Sequence, residues 1–156
     1  EVGQGMSIAL NALNLSRAFI STLAVGIMQR ALDEAVAYAK QRKQFGRRLI
    51  DFEMVQQMLA DMAIKTEAAR VLVNNCMRQM DAGEMVRKDG AIVKTFVTDA
   101  MQEVVSNAVQ VLGGYGYSEE YPVEKLMRDA KIFQIFEGSN QIQRMTIAKE
   151  LDREYR

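Results

Sequence analysis

Apolar residues recur every three or four positions along most of this chain, which is the spacing of one face of an α-helix. The first such stretch runs from Ser7 to Gln44 without a proline. Between Ala18 and Ala39 nearly every position is apolar or small, so the pattern predicts a helix that is buried on several sides. We therefore expect this helix at the centre of a bundle or at an oligomer interface.

Two further long helices follow the first one. Gly46, within "QFGRRLIDF", is suited to end the first helix, and Asp51 is suited to cap the second. The predicted apolar stripe of the second helix is Val55, Met58, Met62, Thr66, Ala69, Val73, Cys76 and Met80. The segment "DAG" at 81–83 ends it, and Gly113 and Gly114 end the third helix. The predicted stripe of the third helix is Ile92, Phe96, Ala100, Val104, Ala108 and Val111.

The remaining segment contains shorter elements. The stretch "GGYGYSEEYP" predicts an irregular loop, and Pro122 suits the first turn of a short helix that reaches about Ala130. We expect "IFQIFEGSNQIQR", residues 132–144, to run extended until Ser139 caps a last helix. The apolar face of that helix is Ile142, Met145, Ala148 and Leu151. No pattern of period two persists, so the sequence predicts an all-α domain, an up-and-down four-helix bundle.

Composition narrows the possible functions. Twenty basic and twenty acidic residues balance, and no basic cluster alternates with aromatic residues, so we expect no nucleic-acid partner. The chain has no histidine, which excludes Ser-His-Asp and Cys-His catalysis as well as histidine-containing zinc sites, and we predict no metal. Acid–base chemistry must therefore fall to Glu, Asp, Lys or Tyr.

The cellular context is read from three features. The single cysteine, Cys76, lies on a predicted apolar stripe, so we interpret it as a small core residue. No uninterrupted apolar run reaches eighteen residues and the start resembles no signal peptide, so we expect no membrane span. Because the chain does not begin with Met and "EVGQG" reads like a connecting loop, we expect a piece of a longer protein. Bacterial cytoplasm and mitochondrial matrix are equally compatible with one reduced cysteine.

Glu137 is the candidate for chemistry. It follows Ile132, Phe133, Ile135 and Phe136, and apolar surroundings disfavour an ionised carboxylate. The free N–H groups at the start of the following helix favour the ionised form of Glu137. A carboxylate balanced in this way can remove a proton from carbon if nearby donors polarise the substrate's carbonyl group. The same pattern also fits an exposed glutamate that only stabilises a helix end.

Several motifs in one order resemble the C-terminal helical domain of acyl-CoA dehydrogenases. These are "QRKQFGRRL" at the end of the first helix, "QVLGGYGYSEEYPVEKLM", and "RDAKIFQIFEGSNQIQR". The resemblance covers essentially the whole chain, so residues 1–156 would be the helical bundle domain of a longer enzyme. By the family's plan, an N-terminal helical domain and a middle β domain would be absent, and the isolated piece would be inactive.

The resemblance implies a reaction and a substrate site. Glu137 corresponds to the base that takes the α-proton of an acyl-CoA thioester while the β-hydrogen leaves as hydride to flavin. The product is a trans-2-enoyl-CoA. In the family, the base's own backbone N–H and a flavin hydroxyl hold the thioester carbonyl. Gly138 would let the substrate approach closely, and Arg17 matches a first-helix arginine near the substrate. Asn14 stands where relatives often have an acidic residue. Some relatives place the base on the first helix instead, but the presence of Glu137 favours the common placement.

The resemblance also implies FAD contacts. Ser139 and Gln141 match the hydroxyl and amide of the family's Glu-Gly-Thr-x-Gln motif. Arg42, Gln44 and Phe45 match positions that reach the FAD of a neighbouring subunit, and an arginine fork can grip the two oxygens of a pyrophosphate.

A second group of implied FAD contacts lies at the end of the third helix. The segment "QVLGG", with Gln110, Gly113 and Gly114, matches a contact to the adenosine part of the neighbour's FAD. Without the resemblance, the two glycines would be read simply as a helix end. Glu53 stands where the family often has a flavin-contacting Gln, and we expect it to point away.

The resemblance implies a homo-oligomer, namely a tetramer of the type found in the family. It also implies that electrons pass to an electron-transferring flavoprotein. Two alternatives share these motifs. An acyl-CoA oxidase would use oxygen as its acceptor, and a catalytically silent helical interaction domain would keep the fold without the reaction. The sequence does not specify acyl chain length or branching.

Overall fold

The computed structural model describes residues 2–84 and 86–156, so Glu1, at the start of the predicted connecting segment, lies outside it. The described residues form five α-helices, which confirms the predicted all-α class. The helices are α1 (Gly5–Gln41), α2 (Glu53–Asp81), α3 (Arg87–Leu112), α4 (Val123–Ile132) and α5 (Asn140–Glu154).

The first three helices run up, down and up. Arg70 of α2 donates to Gln29 of α1 over 2.6 Å, and these residues lie at comparable distances from the connection between the two helices. In the same way, Lys65 of α2 pairs with Glu103 of α3 at 2.7 Å. Successive helices are therefore antiparallel, as short connections favour.

The fourth position of the bundle is occupied by α4 and α5 in succession. Gln134, just after α4, reaches back to Asp99 in the middle of α3. Further along α5, Glu154 pairs with Lys88 near the start of α3. Both helices thus run antiparallel to α3, and residues 133–139 between them interrupt what would otherwise be one rod. We call residues 133–139 the break. The described residues thus form three long helices and a fourth member that is divided in two.

The central helix is α3, because it packs against each of the other four. Its predicted stripe is correct at Ala100, Val104, Ala108 and Val111, which are buried. The prediction is wrong at Phe96, which is 43% exposed. The reason is that α3 is surrounded on most sides, so no single stripe describes it. Its other buried apolar residues are Ala91, Val93, Val97, Met101, Val105 and Leu112.

Between Ala18 and Ala39, α1 is buried along one face, which packs against α2 and α3. The opposite face is open, since Leu23 is 64% exposed, so the predicted burial on several sides is wrong within this chain. Its first part is different, since Leu10, Leu15 and Phe19 are about half exposed or more. By length and composition alone, α1 could cross a membrane, although core helices of soluble proteins meet the same criteria. One third of its most apolar window is buried inside this bundle.

The stripe of α2 and the position of Cys76 agree with the sequence prediction. Met62, Thr66, Ala69 and Val73 are buried on the same face, and α2 ends at Asp81. Cys76 is 1% exposed, and burial raises the pKa of its thiol to about 11. The thiol is therefore protonated at neutral pH, which fits a core residue and argues against a nucleophile.

The connection between α1 and α2 differs from the prediction. Helix α1 ends at Gln41, and strands β1 (Lys43–Gln44) and β2 (Arg47–Arg48) form a small antiparallel hairpin. Phe45 and Gly46 occupy its turn with φ of 51° and 80°, the pattern of a two-residue hairpin turn. Gly46 thus turns a hairpin and does not cap α1.

The predicted cap of α2 is also wrong. Asp51 belongs to a short 3₁₀ helix, Leu49–Asp51, and Phe52 precedes the first residue of α2. The carboxylate of Asp51 instead accepts two hydrogen bonds from Arg48. These bonds hold the pKa of Asp51 below its usual range.

Candidate functional site

The sequence predicted that the break is extended, but in the structure it winds in successive turns. Backbone N–H groups of four successive residues, Phe133 to Phe136, donate back to carbonyls three or four residues earlier, so the chain continues to turn after α4. Glu137 and Gly138 then adopt positive φ angles of 56° and 87°. A non-glycine residue in this conformation costs about 1–2 kcal/mol, so other contacts must hold Glu137 there.

The Glu137 carboxylate points toward α1. Its Oε2 accepts a hydrogen bond of 2.7 Å from Ser16 Oγ, and the residue is half-buried. No oxygen of the described residues accepts a hydrogen bond from the Glu137 backbone N–H. This N–H therefore remains available to a ligand that approaches the carboxylate. Ser16 also shows that a first-helix side chain can reach this space.

A buried lysine lies directly behind the break. Lys94 of α3 is fully buried, and its Nζ donates to Gly138 O at 2.9 Å and to Asn140 Oδ1 at 2.7 Å. Burial lowers the pKa of Lys94 to about 8, with Arg17 also lowering it and Asp99 and Glu137 raising it.

Asp99 is the centre of the hydrogen bonds that continue from Asn140. It accepts from Gln134 and Asn140 at 2.7 Å each, and from Arg144 at 2.6 Å. Burial raises the pKa of Asp99, but these hydrogen bonds outweigh burial and hold the pKa below its usual value. Asp99 therefore connects both ends of the break, since Gln134 lies within it and Asn140 begins α5.

Gln143 fills the space that a side chain at position 138 would occupy. Its Nε2 donates to Glu137 O at 3.1 Å and to Gly138 O at 3.0 Å. A Cβ on Gly138 would lie 2.5 Å from this nitrogen. Gly138 is thus required by its own backbone angle and by Gln143. Close approach of a substrate, the reason expected from the sequence, stays a prediction.

The two predicted first-helix substrate residues also lie at this end of the bundle. Arg17 is 7% exposed, and its Nη1 donates to Asn14 Oδ1 at 2.9 Å. Burial lowers the pKa of Arg17, as does Arg87, whereas Glu137 raises it. Asn14 is neutral, so it does not compensate the charge of Arg17, and Arg17 Nε is buried without a hydrogen-bond partner among the described residues.

Four of the predicted FAD residues meet at the opposite end of the bundle. Arg42, Gln44, Gly113 and Gly114 line one open cavity of about 650 Å³, next to Tyr115. The guanidinium carbon of Arg42 lies 5.7 Å from the centre of the Tyr115 ring. Within residues 2–84 and 86–156, Arg42 has no carboxylate partner, so its charge is available to an anion.

The other predicted contacts lie outside this cavity lining. Phe45, at the tip of the hairpin, is 93% exposed, and Gln110 is exposed on the last part of α3. Ser139 caps α5, since its side chain accepts from Ile142 N, and Gln141 is exposed in the first turn. Glu53, the departure noted from the family pattern, is exposed at the start of α2.

Sequence reasoning missed the residues that hold the break, namely Ser16, Lys94, Asp99, Asn140 and Gln143. One signal was present for Lys94, because it interrupts the apolar sequence "AIVKTFV". Within the part of the chain that the structure describes, no group of three acidic or thiol side chains could hold a metal ion.

Comparison with known proteins gives a consistent assignment. The family described as acyl-CoA dehydrogenase, C-terminal domain, matches residues 3–151. The caffeyl-CoA reductase–Etf complex subunit CarC of Acetobacterium woodii is 43% identical over 148 residues, which are 95% of this chain and 39% of that protein. The cyclohexane-1-carbonyl-CoA dehydrogenase of Geobacter metallireducens is 42% identical over 154 residues, 99% of this chain and 40% of that protein.

A solved structure supports the same assignment. The butyryl-CoA dehydrogenase of Megasphaera elsdenii superimposes with a TM-score of 0.96 at 45% identity, over 98% of this chain and 40% of that one. The chain spans about two fifths of the length of these relatives. With the matching order of motifs, these similarities show that this chain belongs to the acyl-CoA dehydrogenase family and corresponds to its C-terminal domain.

Proposed function

We propose that this chain is the C-terminal domain of an FAD-dependent acyl-CoA dehydrogenase in which Glu137 is the catalytic base. The observation that carries the proposal is the geometry of Glu137. It is half-buried in a backbone conformation that costs free energy, hydrogen-bonded to Ser16, and fixed by a buried network. Such strain is retained where neighbouring contacts over-determine it, and it concentrates at functional sites.

In this proposal, Glu137 takes the α-proton of an acyl-CoA thioester. The C–H electron pair moves toward the thioester carbonyl, whose oxygen is held by the free backbone N–H of Glu137. The charge of Arg17, close behind, favours the negative charge that develops there. FAD, when bound, supplies the acceptor for the hydride that leaves the β carbon. In the reverse reaction, reduced FAD would supply that hydride. The product is a trans-2-enoyl-CoA, with the proton on Glu137.

The cavity around Arg42 supports a homo-oligomer, such as the tetramer that the resemblance implies. Residues 17 and 42 are separated by about 38 Å along α1 at the rise of an α-helix, so the two sites lie at opposite ends of the bundle. The cavity is lined by Arg42 and also by Glu120, and the Arg42 guanidinium suits the pyrophosphate of a neighbouring subunit's FAD. The glycines Gly113 and Gly114 would let that group approach the backbone.

A second candidate function is the reverse reaction, in which an enoyl-CoA is reduced. The relative from Acetobacterium woodii is called a reductase and a subunit of an Etf complex. If this chain acts in the same direction, Glu137 as a carboxylic acid returns a proton to the α carbon of an enoyl-CoA. The same relative supports an electron-transferring flavoprotein as the redox partner.

The test uses the full-length protein that carries this domain. It is mixed without oxygen with short, medium, long and branched acyl-CoAs while the flavin absorption is recorded. Bleaching by one class supports dehydrogenation and identifies the substrate range, and reoxidation by an enoyl-CoA measures the reductase direction. Peroxide production in air would favour an oxidase. A full-length protein that purifies without flavin would contradict the proposal and favour a silent interaction domain.

A further inference from the structure

Lys94 is the largest fully buried side chain among the described residues. Removing an ammonium group from water is costly unless hydrogen bonds or opposite charge compensate. Two acceptors compensate the charge of Lys94. Gly138 O lies in the break, and Asn140 Oδ1 belongs to the first residue of α5. The cost of burial is therefore tied to the conformation of the chain next to Glu137, and Lys94 pairs directly with no carboxylate of residues 2–84 and 86–156.

The break needs side-chain partners because the helical ladder is interrupted there. The carbonyl of Gly138 receives Lys94 and Gln143, and the carbonyl of Glu137 receives Gln143. These bonds fix the two peptide groups on either side of Gly138. A charged donor forms stronger hydrogen bonds than a neutral one, so Lys94 should dominate this pair.

Lys94 is also the inner end of a chain of alternating charge. The Asn140 amide accepts from Lys94 through Oδ1 and donates to Asp99 through Nδ2, and Asp99 pairs with Arg144 near the surface. The Thr98 hydroxyl donates to Lys94 O at 2.8 Å, so its oxygen accepts from Asn140 Nδ2 at 2.9 Å, which keeps the amide in this orientation. The break is thus held from the buried side by a connected network, and such networks are sensitive to removal of one member.

We propose that Lys94 is a positioning residue for Glu137: through Gly138 O and Asn140 it holds the left-handed backbone that aims the carboxylate at the substrate. The inference rests on the proposed function of Glu137. Lys94 itself does not touch the substrate in this account, because its ammonium group is occupied behind the peptide. Its removal should therefore impair proton abstraction far more than acyl-CoA binding.

The experiment compares four variants of the full-length protein: Lys94→Met, Glu137→Gln, the double variant, and Lys88→Met. Lys88 is the matched control, since it is also a lysine of α3 bonded to α5, through Glu154, but lies away from the break. The rate of flavin bleaching, its dependence on acyl-CoA concentration, the flavin content and the thermal midpoint are measured for each.

We expect Lys94→Met to lower the bleaching rate about 100-fold, the cost of a displacement near 1 Å at a reacting group. The apparent acyl-CoA affinity should change less than about threefold, and Lys88→Met should change the rate less than about twofold. In the Glu137→Gln background, Lys94→Met should cause no further loss, because residues that act through one another are not additive. A purely structural role would lower flavin content and the thermal midpoint without this dependence on Glu137.

Three results would overturn the inference. Lys94→Met could behave like Lys88→Met, its loss could be fully additive with that of Glu137→Gln, or it could weaken acyl-CoA affinity as much as it slows bleaching. If Glu137→Gln bleaches at the wild-type rate, the proposed function itself fails. Should Lys94→Met not fold, Asn140→Ser, at the next link of the chain, is compared in the same way with and without Glu137→Gln, and additivity there would contradict the role of the network.

Discussion

The two ends of this bundle differ in how completely the chain itself builds them. Around Glu137, most polar groups of the surrounding network are hydrogen-bonded inside the domain, although Gln143 Oε1 and Arg17 Nε are buried without a partner among the described residues. Lys94, Asn140 and Gln143 are buried. Around Arg42, the polar groups line an open cavity, and the hairpin tip is almost fully exposed. In the proposed function, the first end carries the chemistry and the second end receives part of a neighbouring subunit's flavin.

This difference predicts where substitutions will act. Changes near Glu137 should alter the rate of the reaction or the stability of this domain, because the contacts are internal. Changes near Arg42 should alter what the domain holds and leave its folding unchanged.

Glu137→Gln removes the proposed base but retains the size of the side chain. Because general bases contribute typically about 10²–10⁴-fold to a rate, turnover of the full-length protein with an electron acceptor should fall by at least about a hundredfold. Flavin content should not change. The matched control is Glu124→Gln, at a carboxylate of α4 that is also partly buried but pairs with Arg128, and it should retain full turnover. Equal turnover in the two variants would contradict the role of Glu137.

Arg42→Met removes the charge at the open cavity and retains an apolar stem. Loss of a charge-assisted hydrogen bond costs about 1.5–3 kcal/mol, so flavin affinity should fall about 10- to 100-fold. The thermal midpoint of this domain without flavin should stay the same, since Arg42 is exposed. Flavin retention during dialysis measures the effect. Arg47→Met, in the next strand of the hairpin, serves as the comparison, and an equal flavin loss there would mean that only the overall charge matters.

Gly138→Ala tests the strain at the break. An alanine at a φ of 87° costs about 1–3 kcal/mol, and its Cβ would also displace Gln143 from its two carbonyl partners. The unfolding midpoint in urea should therefore fall, together with the bleaching rate. Gly83→Ala has a similar φ of 77° with no neighbour within 4 Å, so it should cost stability without slowing bleaching. The account is wrong at this point if both variants slow bleaching equally.

The stability of the folded chain should also depend on pH through Lys94. Its pKa is about 8 in the folded chain and 10.5 ordinarily, so between these values the unfolded chain binds a proton that the folded chain has released. Raising the pH through this window therefore favours the folded state, by up to about 1.4 kcal/mol per pH unit. Burial is the main cause of the lowered pKa of Lys94, and the charged groups that also act on it are Asp99, Arg17 and Glu137. The stability of the wild type relative to Lys94→Met should rise from pH 8 to 10, and a constant difference would contradict the buried charge.

The sequence predicted the helices better than it predicted what lies between them. Periodicity locates the middle of α1 and the stripe of α2 because apolar burial repeats with the helical turn. It does not locate the hairpin, since a turn with positive φ at Phe45 leaves little trace beyond one glycine. The sequence also predicts an extended segment before Ser139, whereas carbonyl acceptors keep the break turning.

The candidate site was predictable only in part, for a related reason. Glu137 is visible as a charge among apolar residues, and its motif resembles a known family. Lys94 and Asn140 act through partners that are distant in sequence, so their roles follow only from the packing of α3 against α5. Likewise, Arg42 and Gly113 meet in one cavity only after α1 and α3 align.

The most direct test of the account is exchange of the substrate's α-hydrogen with solvent. The full-length protein is incubated in D2O without oxygen with an acyl-CoA that it bleaches, and deuterium at the α carbon is measured by mass spectrometry for the wild type and for Glu137→Gln. We predict that the wild type incorporates deuterium and that the variant, with its flavin still bound, does so at least about a hundredfold more slowly. Exchange at the wild-type rate in Glu137→Gln would show that another group removes the proton and would contradict the central role of Glu137.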